Sequence, residues 1–273
     1  MERIKKFFKV EERGSTIAIE LLGGLVTFLA MVYILPVNAG MLSLTGMSFG
    51  GVFAATAIAA AFATILMGVF GKVPIALASG MGVNAFFTYT VVFGLGFTWQ
   101  EALAAVLISG ILFVIVSLTG LRQIVINAIP KSLKLAIGAG IGFFIAFIGL
   151  KNAGIIIADP ATFVRLGDFG NPTVLLGLFG ILLILVLFAL NNKISKFAII
   201  ISIIGTGILG ALIGLVFPSL SGAMPSFGGS SLGSISDVST LFGQAFTAIP
   251  SLLSNPLAYA VIFTFLFIDF FDT

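Results

Sequence analysis

Three polar side chains stand out in a chain otherwise dominated by Phe, Leu, Ile, Val, Ala and Gly: Asp269 and Asp272 in FTFLFIDFFDT, and Asn84 in ASGMGVNAFFTYT. On a helix, residues three apart share a face, roughly 60° around and about 4.5 Å along the axis. Two carboxylates that close repel, which favours retention of a proton by the pair. Such a pair can couple proton movement to another process. Asn84 offers a donor and an acceptor in one group. The chemistry on offer is hydrogen-bonded recognition together with proton exchange. A charged group at the centre of a bilayer costs roughly 2.5–3.5 kcal/mol on insertion scales, so carboxylates persist there when something uses them.

Composition decides whether the surroundings are a bilayer. The sequence is 59% hydrophobic and 8% charged, with a mean hydropathy of +1.25. A soluble domain carries roughly 45–50% apolar and about 25% charged residues. This is the composition of a polytopic membrane protein. There is no cysteine, which excludes disulfides, thiolate chemistry and Cys metal sites. There is no histidine either, so any proton coupling must run through carboxylates. The formal charge of +3 has its excess in the N-terminal tail and carries no nucleic-acid signal. That tail, MERIKKFFKVEERGS, is expected to be amphipathic and cytoplasmic, leading into a retained first helix rather than a cleaved signal.

A membrane span needs about 20 mostly apolar residues. Seven are expected, over 19–43, 52–70, 74–96, 100–119, 134–154, 173–190 and 197–217, with an eighth starting near Leu257. With the N-terminus inside, all 13 Lys and Arg residues except Lys151 and Arg165 fall on the inner side, a strong positive-inside bias. The segment 218–256 is then an extracytoplasmic loop. Within it DVSTLFGQAFTAIP has an Asp237 cap, apolar residues at helical spacing and Pro250 as a stop, which predicts one interfacial helix. Thr273 would lie within the membrane, where a helix end leaves its carbonyls without partners. The sequence is therefore expected to be an N-terminal fragment, or a truncated gene product, of a longer transporter-like protein.

Three stretches interrupt otherwise smooth spans. In VYILPVNAG, Pro36 and Asn38 suggest a kink or an early exit from span one. In KVPIALASGMGVNAFF, Pro74, Ser79, Gly80 and Gly82 suggest a discontinuous helix: Val73–Ala78 extended, a glycine turn, and a half-helix beginning near Asn84. The plainer alternative is a Gly-rich packing face with Asn84 bonded to a neighbouring helix. Gly138, Gly140 and Gly142 in span five do not fit a dinucleotide loop and are expected to mediate close helix packing, as are Gly210 and Gly214. Counting from Leu257 puts the aspartates roughly 18–23 Å below the outer surface, and Asn84 lies roughly 18 Å above the inner one. They could share one cavity. The aspartates could instead be salt-bridged, or lie near the inner interface. A membrane-embedded prenyltransferase would need more carboxylates and basic residues within the spans. An anion transporter or channel of similar architecture would place a basic residue or a bare helix N-terminus at the midplane.

These stretches carry a resemblance to a known family. TFLAMVYILPVN, ASGMGVNAFF, IGAGIGFFIAFIGLKNAGI and FIDFFDT resemble the AzgA-like adenine/guanine/hypoxanthine permeases, a branch of the nucleobase–cation symporters, along essentially the whole chain. The resemblance implies an all-α polytopic fold of 14 spans in two inverted repeats of seven. This chain would carry the first repeat and the start of helix eight, with a broken third helix containing a short extended segment. It implies half of a core domain (16–120, joined by 257–273) and half of a gate domain (121–217), behind a tail at 1–15. In such a permease Asn84, Asp269 and Asp272 contribute to purine binding, with Gly82 and Phe86 from the same stretch as Asn84. The two aspartates would couple uptake to protons. Phe86, Phe87 or Phe270 could stack on the purine. The implied partners are a purine nucleobase, a proton and the lipid of a plasma or inner membrane. No metal, cofactor or enzymatic activity is implied, and a homodimer stays open. A further acidic residue on span ten has no counterpart in these residues.

Overall fold

The computed structural model describes residues 2–190, 193–217 and 235–272. After a short helix α1 (Glu2–Phe7), helix α2 (Ile17–Met31) is followed by α3 (Ile34–Ser43). Helix α4 (Phe49–Leu66) runs into a π-helical turn, Met67–Gly71. An extended segment leads to α5 (Met81–Ala85), which continues as a π-helix over Phe86–Gly94. Then come α6 (Trp99–Leu118), α7 (Leu121–Ala128) and α8 (Lys131–Asn152). A hairpin of β1 (Ile156–Asp159) and β2 (Phe163–Leu166) precedes α9 (Pro172–Ala189) and α10 (Ala198–Val216). Three short helices, α11 (Ile235–Leu241), α12 (Gln244–Thr247) and α13 (Ile249–Ser254), lead to α14 (Ala258–Asp272).

Among the described residues, six helical stretches are long and apolar enough to cross a membrane: Ile17–Ser43, Phe49–Gly71, Trp99–Leu118, Lys131–Asn152, Pro172–Ala189 and Ala198–Val216. The shorter apolar helices Met81–Gly94 and Ala258–Phe271 fall where spans three and eight are expected. Starts are set by side chains that satisfy orphan N–H groups. Thr16 accepts the Ile19 N–H at 3.3 Å and Ser48 accepts that of Gly51 at 3.3 Å. Thr98 and Glu101 form a reciprocal capping box on α6. Asn171 accepts from Thr173 ahead of α9, with Pro172 in the first turn, where it costs no hydrogen bond.

The third span is broken, and the half-helix starts at Met81, three residues before Asn84. Lys72 adopts a left-handed conformation (φ 55°) that ends the preceding helix. From there to Gly80 the chain is non-helical. Thr64 of α4 holds this segment at its middle, accepting the Leu77 N–H at 3.0 Å and donating to the Leu77 carbonyl at 3.4 Å.

The chain divides into two compact units, Met1–Val32 with Phe143–Gly228, and Tyr33–Gly142 with Gly229–Thr273. In the first, α9 and α10 pack on each other. Ser202 donates to the Gly180 carbonyl at 2.8 Å, and a methyl group on Gly180 would stand 3.0 Å from Thr206 Oγ1. Gly210 and Gly214 are buried, as expected of a packing face. Gly138, Gly140 and Gly142, which fall in the second unit, differ: a methyl group on any of them meets nothing within 4 Å among the described residues, so the close packing expected there is not seen. The hairpin is absent from the sequence expectations. Asp159 builds it by accepting from the backbone N–H groups of Ala161 and Thr162 at 2.8 and 2.9 Å. Those bonds, Thr162 first, hold its carboxyl below the usual carboxylate range.

In the second unit, α14, α12 and α13 pack on α6, α11 and α3 pack on α4, and α5 touches both α3 and α14. Ala102, Ala105 and Ser109 of α6 are fully buried at near-helical spacing, which lets α14 come close. Phe265, Leu252 and Val91 are fully buried in the same core. The loop expected to carry one helix carries three among the described residues. Gly243, at φ 81°, breaks the run, and Pro250 sits in the first turn of α13 instead of ending a helix. Proline removes a hydrogen bond inside a helix but none in its first turn.

Candidate functional site

The break in the third span puts Asn84 in the first turns of α5, one helical turn from Gly80, whose carbonyl accepts the Asn84 backbone N–H at 3.4 Å. Its side-chain NH2 donates twice, to Asn38 Oδ1 at 2.7 Å and to Ser79 Oγ at 3.3 Å. Asn38 lies on α3, just after Pro36, and is buried. Its own NH2 donates to Thr56 Oγ1 at 2.8 Å, and Thr56, also buried, donates to the Val52 carbonyl at 2.7 Å. Four elements (α3, α4, the extended segment and α5) are thus joined by one polar network. Buried amides and hydroxyls are stable in an apolar core only when so paired.

Asp269 lies on α14 and is half-buried; Ser109 of α6, fully buried, donates to its Oδ2 at 3.2 Å. The side chain of Asp272 lies outside the described residues, and its backbone closes the last turn of α14. Helix α5 packs on α14, so the Asn84 and Asp269 groups sit on touching helices of one unit. Aromatic rings join the same helices. Phe86 meets Phe265 edge to face at 5.0 Å between ring centres, and Phe113 of α6 meets Phe270 at 5.6 Å. The Arg122 guanidinium stands 5.1 Å from the Phe113 ring centre. Gly82 occupies the first turn of α5, while Phe87 is buried in the core with Val91.

Four members of these networks, Asn38, Thr56, Ser79 and Ser109, are not among the site residues expected from the sequence. Asn38 and Ser79 enter the sequence reading only as parts of helix breaks, Thr56 and Ser109 not at all. All four are polar residues within apolar spans, and that is the signal that finds them. Among the described residues no cluster of three Asp, Glu, His or Cys could hold a metal ion. What the arrangement can do is recognise a ligand by hydrogen bonds to an amide and a carboxylate beside aromatic rings.

Long apolar helices, one of them broken at a polar network, define a polytopic membrane protein. Residues 18–272 match the profile of a family described as "Permease family", and the chain belongs to that family. It is 44% identical to the guanine/hypoxanthine permease PbuG of Bacillus subtilis, over 99% of this chain and 60% of that protein. To a putative permease of Methanocaldococcus jannaschii it is 42% identical, over 100% of this chain and 59% of that protein. To the adenine permease AdeP of Escherichia coli it is 38% identical, over 99% of this chain and 57% of that protein. These relatives are permeases, not enzymes. The chain spans about 60% of the length of the curated relatives it matches.

Proposed function

We propose that this chain forms part of a secondary active transporter that carries purine nucleobases inward across the cell membrane, coupled to protons. The observation that carries this reading is the similarity to permeases named for guanine, hypoxanthine and adenine over nearly all of the chain. The site chemistry agrees with it. A neutral purine has a flat aromatic face and an edge of alternating donors and acceptors. Asn84 hydrogen-bonds to that edge, Asp269 and Asp272 accept ring N–H groups, and Phe86 stacks on the ring face. Discontinuous helices with polar groups near mid-membrane are a recurrent way of building such sites. The aspartates exchange the coupling proton, and the seven spans form one half of a two-repeat architecture with a cytoplasmic N-terminus.

The test is uptake of radiolabelled guanine, hypoxanthine and adenine by the complete gene product in proteoliposomes, with and without an imposed pH gradient. Saturable uptake of at least one purine, accelerated by an acidic exterior, is expected. Uptake of none, in vesicles where the protein is shown to be inserted, refutes the substrate class. Uptake indifferent to the gradient refutes the proton.

A further inference from the structure

We propose that Thr56 and Asn38 fix the orientation of the Asn84 amide, so that Asn84 presents an acceptor oxygen, and no donor, to the substrate. The proposal rests on the purine-transport reading and adds which edge of the ligand the site reads.

The argument starts at a group with no choice. A backbone carbonyl has no hydrogen to give. Thr56 Oγ1 lies 2.7 Å from the Val52 carbonyl oxygen, and two oxygens at that distance need a proton between them, so the Thr56 hydroxyl hydrogen is committed there. Thr56 can then act toward Asn38 only as an acceptor. The Asn38 atom 2.8 Å away must be its NH2, which turns Asn38 Oδ1 to the opposite side. That oxygen, 2.7 Å from the Asn84 amide, accepts in turn, so Asn84 must put its NH2 there. Ser79 Oγ takes the second N–H at 3.3 Å. Both donors of Asn84 are spent, and its Oδ1 has no partner among the described residues. Asn84 is only half-buried, whereas Asn38 and Thr56 are buried, so the relay is shielded and its last oxygen is accessible.

An amide is normally ambiguous in recognition, because it can turn over and offer either end. Here the buried carbonyl of Val52, separated from the ligand by Thr56, Asn38 and Asn84, resolves the ambiguity. The ligand edge that meets Asn84 must therefore carry an N–H. Thr56 and Asn38 are positioning residues: neither need touch the ligand to decide which edge is accepted.

The test measures inhibition of purine uptake by analogues methylated at one ring nitrogen at a time, or lacking the exocyclic amine, using the complete gene product. In the wild type, one such analogue should inhibit at least about tenfold less well than its parent purine, as for loss of one well-made hydrogen bond. In Thr56→Val the Asn38 and Asn84 amides are free to turn, and that ratio should fall to within about threefold of unity. Thr56→Ser should restore it. A Thr56→Val protein that transports the parent purine with the wild-type ratio overturns the proposal, as does a wild type indifferent to every analogue. A second measurement is independent of transport. In isotope-labelled wild-type protein without substrate, both Asn84 side-chain amide protons should exchange slowly with solvent. Fast exchange of both overturns the relay even if Thr56→Val does not fold. Absence of any purine uptake refutes the substrate class and leaves this amide measurement to decide the relay.

Discussion

Thr64→Val tests whether the extended segment of span three is held by a side chain rather than by its own backbone. The substitution keeps the shape of the side chain and removes one oxygen. That oxygen makes two contacts with Leu77, accepting its N–H at 3.0 Å and donating to its carbonyl at 3.4 Å. The shorter contact dominates, since the longer lies beyond the usual O–H···O range. A half-buried N–H left without a partner costs about 1–3 kcal/mol. Part of that is recovered where water reaches Leu77, so about 1–2 kcal/mol is expected, a five- to thirtyfold rise in the open population of the segment. Hydrogen exchange read by mass spectrometry on peptides covering 73–80 should show that increase, while α6 peptides stay unchanged. Thr64→Ser retains the oxygen and should exchange within about twofold of the wild type, the spread expected for a preserved hydrogen bond. Wild-type exchange at 73–80 in Thr64→Val would refute the reasoning, because the segment would then owe its position to something other than Thr64.

Asp269→Asn and Asp272→Asn should each impair proton-driven purine uptake, and at least one should nearly abolish it; unchanged uptake and pH response in both would make the carboxylates structural. Ser109→Ala, which removes the donor to Asp269 Oδ2, should lower kcat/KM for uptake by about tenfold, the scale of one hydrogen bond to a charged acceptor. Gly51→Val should destabilise the second unit, because even a Cβ would stand 2.8 Å from the Asp237 carbonyl oxygen and from Leu241; overpacking of this kind costs about 1–3 kcal/mol, read as a lower thermal midpoint of the purified protein. The Asp159 carboxyl lies below its usual range because Thr162 and Ala161 N–H groups bind its ionised form. Its contribution to the 156–166 hairpin is thus present above the unfolded-state value and lost as pH falls through the folded one. Intrinsic-rate-corrected exchange of that peptide should rise on acidification, and Asp159→Ala should flatten the response.

The eight hydrophobic stretches were legible because a bilayer demands long unbroken apolar runs, and nothing in tertiary packing relaxes that demand. The positions of Asp269 and Asn84 as odd polar residues were legible for the same reason. So was the break before Asn84, where proline and glycines accumulate within a span. What the sequence left open was which polar groups meet. Asn38 and Asn84 are 46 residues apart, and Ser109 and Asp269 are 160 apart. No local spacing links them; only the packing of α3 on α5 and of α6 on α14 brings them into range. The same holds for failures of local rules. Pro250 reads locally as a helix end yet begins one, because Gly243 breaks the run ahead of it and proline costs no hydrogen bond in a first turn. Gly138, Gly140 and Gly142 have the spacing of a packing motif yet meet no close neighbour among the described residues, because a glycine's close contacts are set by the neighbouring helix and not by its own. The apolar pattern therefore determined the spans and marked the chemical groups in them. Which polar groups meet was decided by tertiary structure: the Thr56–Val52 bond is local to α4, but the bonds from Thr56 to Asn38 and from Asn38 to Asn84 join separate helices.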